Sequence, residues 1–211
     1  MSTILLTGFA PFGDSKINPS QQIAERLHGE TLGGVQVVSL TLPVVMSADW
    51  KLMRGAIDTH QPVLVLSLGL ASGTTCLDVE RFAVNLQVAE AEDPTKPLAP
   101  NLPQSPIIDG GPPALFSTLD TEKIAAAIRA EAGVPARAHG YAGSYACNHI
   151  LYRTLHHAAQ QLSYQAGFIH LPLSSEQVIA ENNLHLPSLP LSLMISGVRA
   201  ALTEALKSLR Q

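Results

Sequence analysis

Val63-Leu64-Val65-Leu66-Ser67-Leu68 is apolar at five of its six positions. A strand with one wet face alternates apolar and polar residues, whereas a strand covered on both faces does not. The run therefore predicts a parallel strand covered on both faces. Upstream, a helix is expected from about Ser47, with Trp50, Met53 and Ile57 on one face. Downstream, Gly69-Leu70-Ala71-Ser72-Gly73 turns away from the carboxyl end of the strand, where open α/β sheets place their sites.

The segments before this unit repeat the alternation. Ile4-Leu5-Leu6-Thr7 reads as a short strand, followed by the loop Gly8-Phe9-Ala10-Pro11-Phe12-Gly13 with two aromatics. Asn18-Pro19-Ser20-Gln21 opens a helix, with Asn18 as N-cap, Pro19 at the first position and Gln21 three residues after the cap. Val35 to Leu42 is the next strand. The pattern indicates an α/β sandwich, read as one domain over residues 1–211.

Beyond the central run, Leu77 to Glu90 has period two and reads as one longer strand at an antiparallel edge, which makes the sheet mixed but mostly parallel. Pro94 to Pro113 reads as a long surface loop, of a length that suits a lid or a subunit contact. Asp120 or Thr121 caps a helix that Gly133 stops, and a strand follows near Arg137 to Tyr141. A helix from about Ala146 to Gln161 has Leu151, Leu155, Ala158 and Leu162 on one face. His149, Arg153, His156 and Gln160 form its opposite, polar stripe, read as solvated. Ala166 to His170 is a strand, Ser174-Ser175-Glu176 opens a short helix, and Ile195, Val198, Leu202, Leu206 and Leu209 line a final one.

Composition excludes several classes. With 13 Lys and Arg against 17 Asp and Glu, the net charge is −4, and no basic face for nucleic acid is evident. MSTILLTGF lacks a positive n-region and reads as a strand, not a signal peptide. The apolar runs fall short of the ~20 residues that span a bilayer, so no membrane partner and a cytoplasmic location are expected. Cys76 and Cys147 are read as free thiols. The histidines show no HExxH or CxxC spacing, so no metal is expected. The Gly8–Gly13 loop is neither a dinucleotide fingerprint nor a P-loop, and no cofactor is expected.

Cys147 sits within Gly143-Ser144-Tyr145-Ala146-Cys147-Asn148-His149, at the first turn of its helix. Free N–H groups and the positive end of the dipole stabilise a thiolate there. A free cysteine more commonly serves as a buried packing residue, and this stretch alone favours that reading. Lengths favour the nucleophile: the helix runs ~22 Å and the returning strand covers ~20 Å. They nearly cancel, so His170 should reach the sheet edge that holds Cys147. Glu80, after the turn at that edge, is a candidate third group, or else an exposed strand carboxylate.

Five segments together resemble the type I pyroglutamyl peptidases, a family of cysteine peptidases. They are LLTGFAPFG with NPS, VERFAVN, AGSYACNHILY, GFIHLP and the final LPSLPLSLMISGVRAAL, in the family's order across nearly the whole chain. The resemblance implies a three-layer α/β/α sandwich, a cytosolic homotetramer and the removal of amino-terminal pyroglutamate from small peptides. It places the nucleophile on Cys147, the general base on His170 and the orienting acid on Glu80. The lactam-holding phenylalanines fall on Phe9 and Phe12, and a loop asparagine falls on Asn18. Where the family usually reads Gly-Gln-Ala-Gly-Gly-Arg, this chain has Gly69-Leu70-Ala71-Ser72-Gly73-Thr74, and Ala89-Glu90-Ala91-Glu92-Asp93 departs as well. Two other readings are a cysteine amidase for a related lactam or acyl group and a catalytically silent binding protein.

Overall fold

The computed structural model describes residues 2–88, 103–161 and 163–209. Their strands are β1 (Thr3–Phe9), β2 (Thr31–Leu32), β3 (Val35–Leu42), β4 (Leu64–Leu70), β5 (Leu77–Val84), β6 (Gln87–Val88), β7 (Gln104–Ser105), β8 (Ala114–Phe116), β9 (Ala136–Tyr141), β10 (Gln165–Leu171), β11 (Leu173–Ser174) and β12 (Ser188–Leu189). The helices are α1 (Pro19–Leu27), α2 (Met46–His60), α3 (Thr121–Ala132), α4 (Ala146–Gln161), α5 (Ser175–Ala180) and α6 (Leu191–Ser208). The main sheet runs β2-β3-β1-β4-β10-β5-β8, with β9 also paired to β5. β3, β1, β4 and β10 are mutually parallel, as are β5 and β9, while β2, β8 and the β10–β5 junction are antiparallel.

β4 shows why the arrangement is layered. Leu64, Leu66 and Leu68 enter one core with Ile23 and Leu27 of α1, Ile128 of α3 and Val198 and Leu202 of α6. Val65 enters the other core with Met53 of α2 and Ile150, Leu151 and Leu155 of α4. Each such side chain, fully buried, contributes about 1.5–3 kcal/mol relative to exposure. This is the three-layer α/β/α sandwich that the family resemblance implies, with β4 covered on both faces as its apolar run predicts. Toward its carboxyl end, the α4-facing side of β4 reads Val65, Ser67, Gly69, so side-chain volume shrinks just where the site lies.

The period-two stretch differs from expectation. Its strand stops at Val84, and β5 is internal, flanked by β10 and β8 on one side and by β9 on the other. Asn148 terminates it. Its Oδ1 accepts from Val84 N–H, and its Nδ2 donates to the carbonyls of Val84 and Leu86, each at 2.9 Å. A side chain thus takes the backbone groups that another strand would use.

The departure at residues 89–93 lies outside the described residues, as does the expected loop from Pro94 to Pro113 up to residue 102. From residue 103 onward it is fastened: Gln104–Ser105 pairs with Gln87–Val88, and Ile107 is buried. Asn85 Oδ1 accepts from the N–H groups of Ile107 and Ile108, while its Nδ2 donates to the carbonyls of Ile108 and Gly111.

Two caps match the sequence reading in part. Asn18 accepts from Ser20 N–H, but Gln21 turns outward to Glu25 instead of back to the cap. Asp120, not Thr121, caps α3 by accepting from Lys123 N–H at 3.1 Å.

The histidine stripe of α4 is not solvated at His149. α2 covers it, and the buried His149 donates from Nδ1 to the buried Asp49 at 3.0 Å and accepts at Nε2 from Arg153 at 2.9 Å. Periodicity marks a polar stripe without showing that a second helix brings a carboxylate to meet it. Leu162 lies outside the described residues.

Candidate active site

The sheet register assembles the site. His170 of β10 lies opposite Gly69 of β4 on one side and Asp78 of β5 on the other. Cys147, in the first turn of α4, comes down onto the same row. A Cβ added to Gly69 would stand 2.8 Å from the Cys147 Sγ and 2.7 Å from the tip of the buried Phe168 ring. Glycine is needed here because the thiol occupies the space of a side chain.

His170 is 8 % exposed and Glu80 1 %. His170 Nδ1 meets Glu80 Oε1 at 2.7 Å. An ionised carboxylate only accepts, so Nδ1 carries the proton and the hydrogen bond between His170 and Cys147 falls to Nε2. Burial opposes charging the imidazole. Cys147, as a thiolate, and Glu80 outweigh it and push the His170 pKa up to about 10. The three side chains form the line Cys147–His170–Glu80, with an imidazolium favoured at its centre.

Asp78 is the other carboxylate beside His170, and it is engaged elsewhere. It accepts from Arg137 Nε at 2.6 Å, from Thr74 Oγ1 at 2.8 Å and from the Cys76 thiol at 3.4 Å. Burial works against its ionisation, but these three donors hold the carboxyl below its usual range. Thr74 therefore serves the turn after β4. Cys76 contrasts with Cys147: burial, then Asp78, push its thiol pKa up, so it stays protonated.

Phe9 and Phe12 are placed differently. Phe9 ends β1, and extending the Thr7–Ser67 register brings it level with Gly69. It is 2 % exposed, within the same buried cluster as Phe168 and Leu42, whereas Phe12 in the following loop is 41 % exposed. Asn18 holds this loop. Its Oδ1 accepts from Ser20, its Nδ2 donates to the Ala10 carbonyl at 3.2 Å, and Ser20 Oγ accepts from Phe9 N–H at 2.9 Å. Gly8 lies so close to α1 that an added Cβ would fall 2.2 Å from the Ser20 carbonyl oxygen.

Sequence reasoning missed three contributors. Asn148, next to the thiol, ties the start of α4 to the end of β5. Asn85 fastens residues 107–111. His139 of β9 places Nδ1 3.0 Å from Glu80 Oε2. The adjacency of Asn148 to Cys147 was the available signal for the first. The other two depend on strand and loop pairings that no local pattern reveals.

Among the described residues, no group of three or more His, Cys, Asp or Glu could hold a metal ion, and no helix is long and apolar enough to cross a membrane. A cavity of about 570 Å³ lined by Val63, Gln165 and Leu206 opens at the amino ends of β4 and β10, the end remote from Cys147.

The family model for pyroglutamyl peptidase matches residues 2–208. The chain belongs to the pyroglutamyl peptidase family. The pyrrolidone-carboxylate peptidase of Escherichia fergusonii is 39 % identical over 98 % of this chain and 92 % of its own length. That of Vibrio vulnificus is 37 % identical over 99 % and 94 %. Among solved structures, the pyrrolidone carboxyl peptidase of the hyperthermophile Pyrococcus furiosus superposes with a TM-score of 0.89 at 36 % identity, covering 98 % of this chain and 99 % of that one. The pyroglutamyl peptidase I of Bacillus amyloliquefaciens gives 0.86 at 32 %, covering 97 % of each. These similarities make the chain a cysteine peptidase of the pyroglutamyl peptidase I type, with the fold of its relatives.

Proposed function

We propose that this chain hydrolyses the amide bond after an amino-terminal pyroglutamyl residue of small peptides, with Cys147 as nucleophile, His170 as proton carrier and Glu80 as the group that orients it. The observation that carries the reading is the buried contact of Glu80 with His170 Nδ1 at 2.7 Å, which leaves the other ring nitrogen for Cys147. The Cys147 thiolate adds to the pyroglutamyl carbonyl, and the oxyanion is held by backbone N–H groups of the first turn of α4, which have no intrahelical acceptor. His170 gives its proton to the leaving amine as the C–N bond breaks, forming a thioester. It then takes a proton from water, which attacks the thioester and releases pyroglutamate and the thiolate.

Pyroglutamate has no α-ammonium group, so its pocket requires apolar walls and amide partners, not a carboxylate clamp. In this reading Phe12 and Phe9 supply the walls. Asn18 acts by shaping the loop between them, since its oxygen is already shared by Ser20 N–H and Oγ. The working unit is one peptidase domain over residues 1–211, cytoplasmic and tetrameric. An aromatic patch of the exposed Phe116 and Tyr141 on either side of the half-buried Phe82, with ring centroids 5.8 and 5.9 Å from it, is of the kind a neighbouring subunit covers. Light scattering in solution tests the assembly.

The decisive experiment is turnover of a pyroglutamyl amide by the wild type and by Cys147→Ala. Turnover by the wild type and none by the variant is expected. Preference for a prolyl or an unblocked glutamyl amide would indicate a related acyl substrate. No turnover of any of them, with slow and pH-independent alkylation of Cys147, would indicate a silent binding protein.

A further inference from the structure

Glu80 serves two histidines. Its Oε1 meets His170 Nδ1 at 2.7 Å, and its Oε2 meets His139 Nδ1 at 3.0 Å. The hydrolytic cycle above uses only the first contact. The second is fixed by the sheet itself, because His139 of β9 is the register partner of Glu80 in the parallel β5–β9 pair. The preceding rung on the same face, Asp78 with Arg137, is built the same way. Two basic residues of the edge strand thus stand on two buried carboxylates. Arg137 neutralises Asp78, which leaves Glu80 as the carboxylate that answers to histidines.

A carboxylate held at one oxygen remains able to turn about its Cγ–Cδ bond, and a donor on the second oxygen fixes its plane. Ionised Glu80 only accepts, so His139 presents Nδ1–H to it and carries its lone pair on Nε2. The Glu80 side chain is 1 % exposed and that of His139 41 %, so the imidazole reaches solvent where the carboxylate does not. We propose that His139 is a positioning residue for the hydrolysis, holding through Nδ1–H the Glu80 oxygen that His170 leaves free; this rests on the peptidase reading above. The contact extends the line to Cys147–His170–Glu80–His139.

The charged groups around the contact, among the described residues, are Glu80 and Asp78 from β5, Arg137 from β9 itself, His170 from β10 and Cys147 from α4. From α3, Arg129 donates to the Ala136 carbonyl at 2.6 Å. None of these side chains stands between His139 and Glu80.

The test compares the wild type, His139→Ala and His139→Asn by kcat, KM and the rate of Cys147 alkylation by iodoacetamide, each across pH. An asparagine amide places a donor where imidazole Nδ1 stood but does not ionise. His139→Ala is expected to lower kcat about tenfold at little-changed KM, less than the ~10²-fold that a 1 Å misplacement costs. Alkylation near neutral pH should slow in parallel. His139→Asn should recover both rates to within about threefold of the wild type. Wild-type kcat and alkylation in His139→Ala would overturn the proposal, as would equal loss in both variants with unchanged thermal unfolding. Alkylation separates this result from the substrate reading: if the wild type turns over no pyroglutamyl amide, the dependence of thiolate reactivity on His139 still decides the proposal.

Discussion

Gly69 and His170 are register partners across β4 and β10, and the volume that a side chain on Gly69 would fill holds the Cys147 sulfur. The strand therefore sets the distance between thiol and imidazole by what it lacks. Gly69→Ala forces Cys147 or the fully buried Phe168 to move. Overpacking of this kind costs about 1–3 kcal/mol, and displacement of the nucleophile by ~1 Å costs about 10²-fold in rate. The expected outcome is a folded protein with kcat/KM down by about that factor. Wild-type kcinetics in a folded Gly69→Ala protein would contradict the packing described.

Glu80→Gln keeps a side chain of the same shape and removes its charge. His170 has a folded-state pKa raised to about 10 from the ordinary 6.5. By linkage, the contribution of a raised group is fully present below the unfolded value and is lost as pH climbs through the folded one. The wild type should hold its imidazolium through neutrality and lose it toward pH 10, whereas Glu80→Gln should lose it at lower pH. A fall in kcat of about 10²–10⁴-fold is expected, in the range where an orienting carboxylate acts. Paired pH–rate profiles check both the direction and the size.

Asn148→Ala removes three hydrogen bonds to the end of β5. Buried polar groups left without partners cost about 1–3 kcal/mol. The start of α4 should loosen, so kcat should fall while the protein stays folded. Urea unfolding and steady-state kinetics on one preparation measure the two effects together.

His149→Ala acts on stability rather than on chemistry. It takes one partner from the buried Asp49 and the acceptor from Arg153 Nε, 2.9 Å away. Leaving buried polar groups without their partners costs about 1–3 kcal/mol, more where the group is charged. A lower urea midpoint with an unchanged m-value is expected.

The fold was legible where one local pattern had one physical cause. Val63 to Leu68 is apolar because both faces of β4 are covered, and no knowledge of the neighbours was needed. Cys147 and His170 were also legible as a pair, since α4 and β10 are consecutive and their lengths cancel. Glu80 was less so, because its role depends on β5 entering the sheet beside β10, a strand almost ninety residues further along. His139 was invisible for the same reason: its partner lies 59 residues away. At His149 the helical pattern was right and its environment was not, because a buried polar residue and a solvated one share the same period.

Asn148 joins α4 to β5, so the element carrying the thiol is bolted to the element carrying Glu80. The thiol and the carboxylate are therefore tied to one another through backbone groups as well as through the imidazole between them.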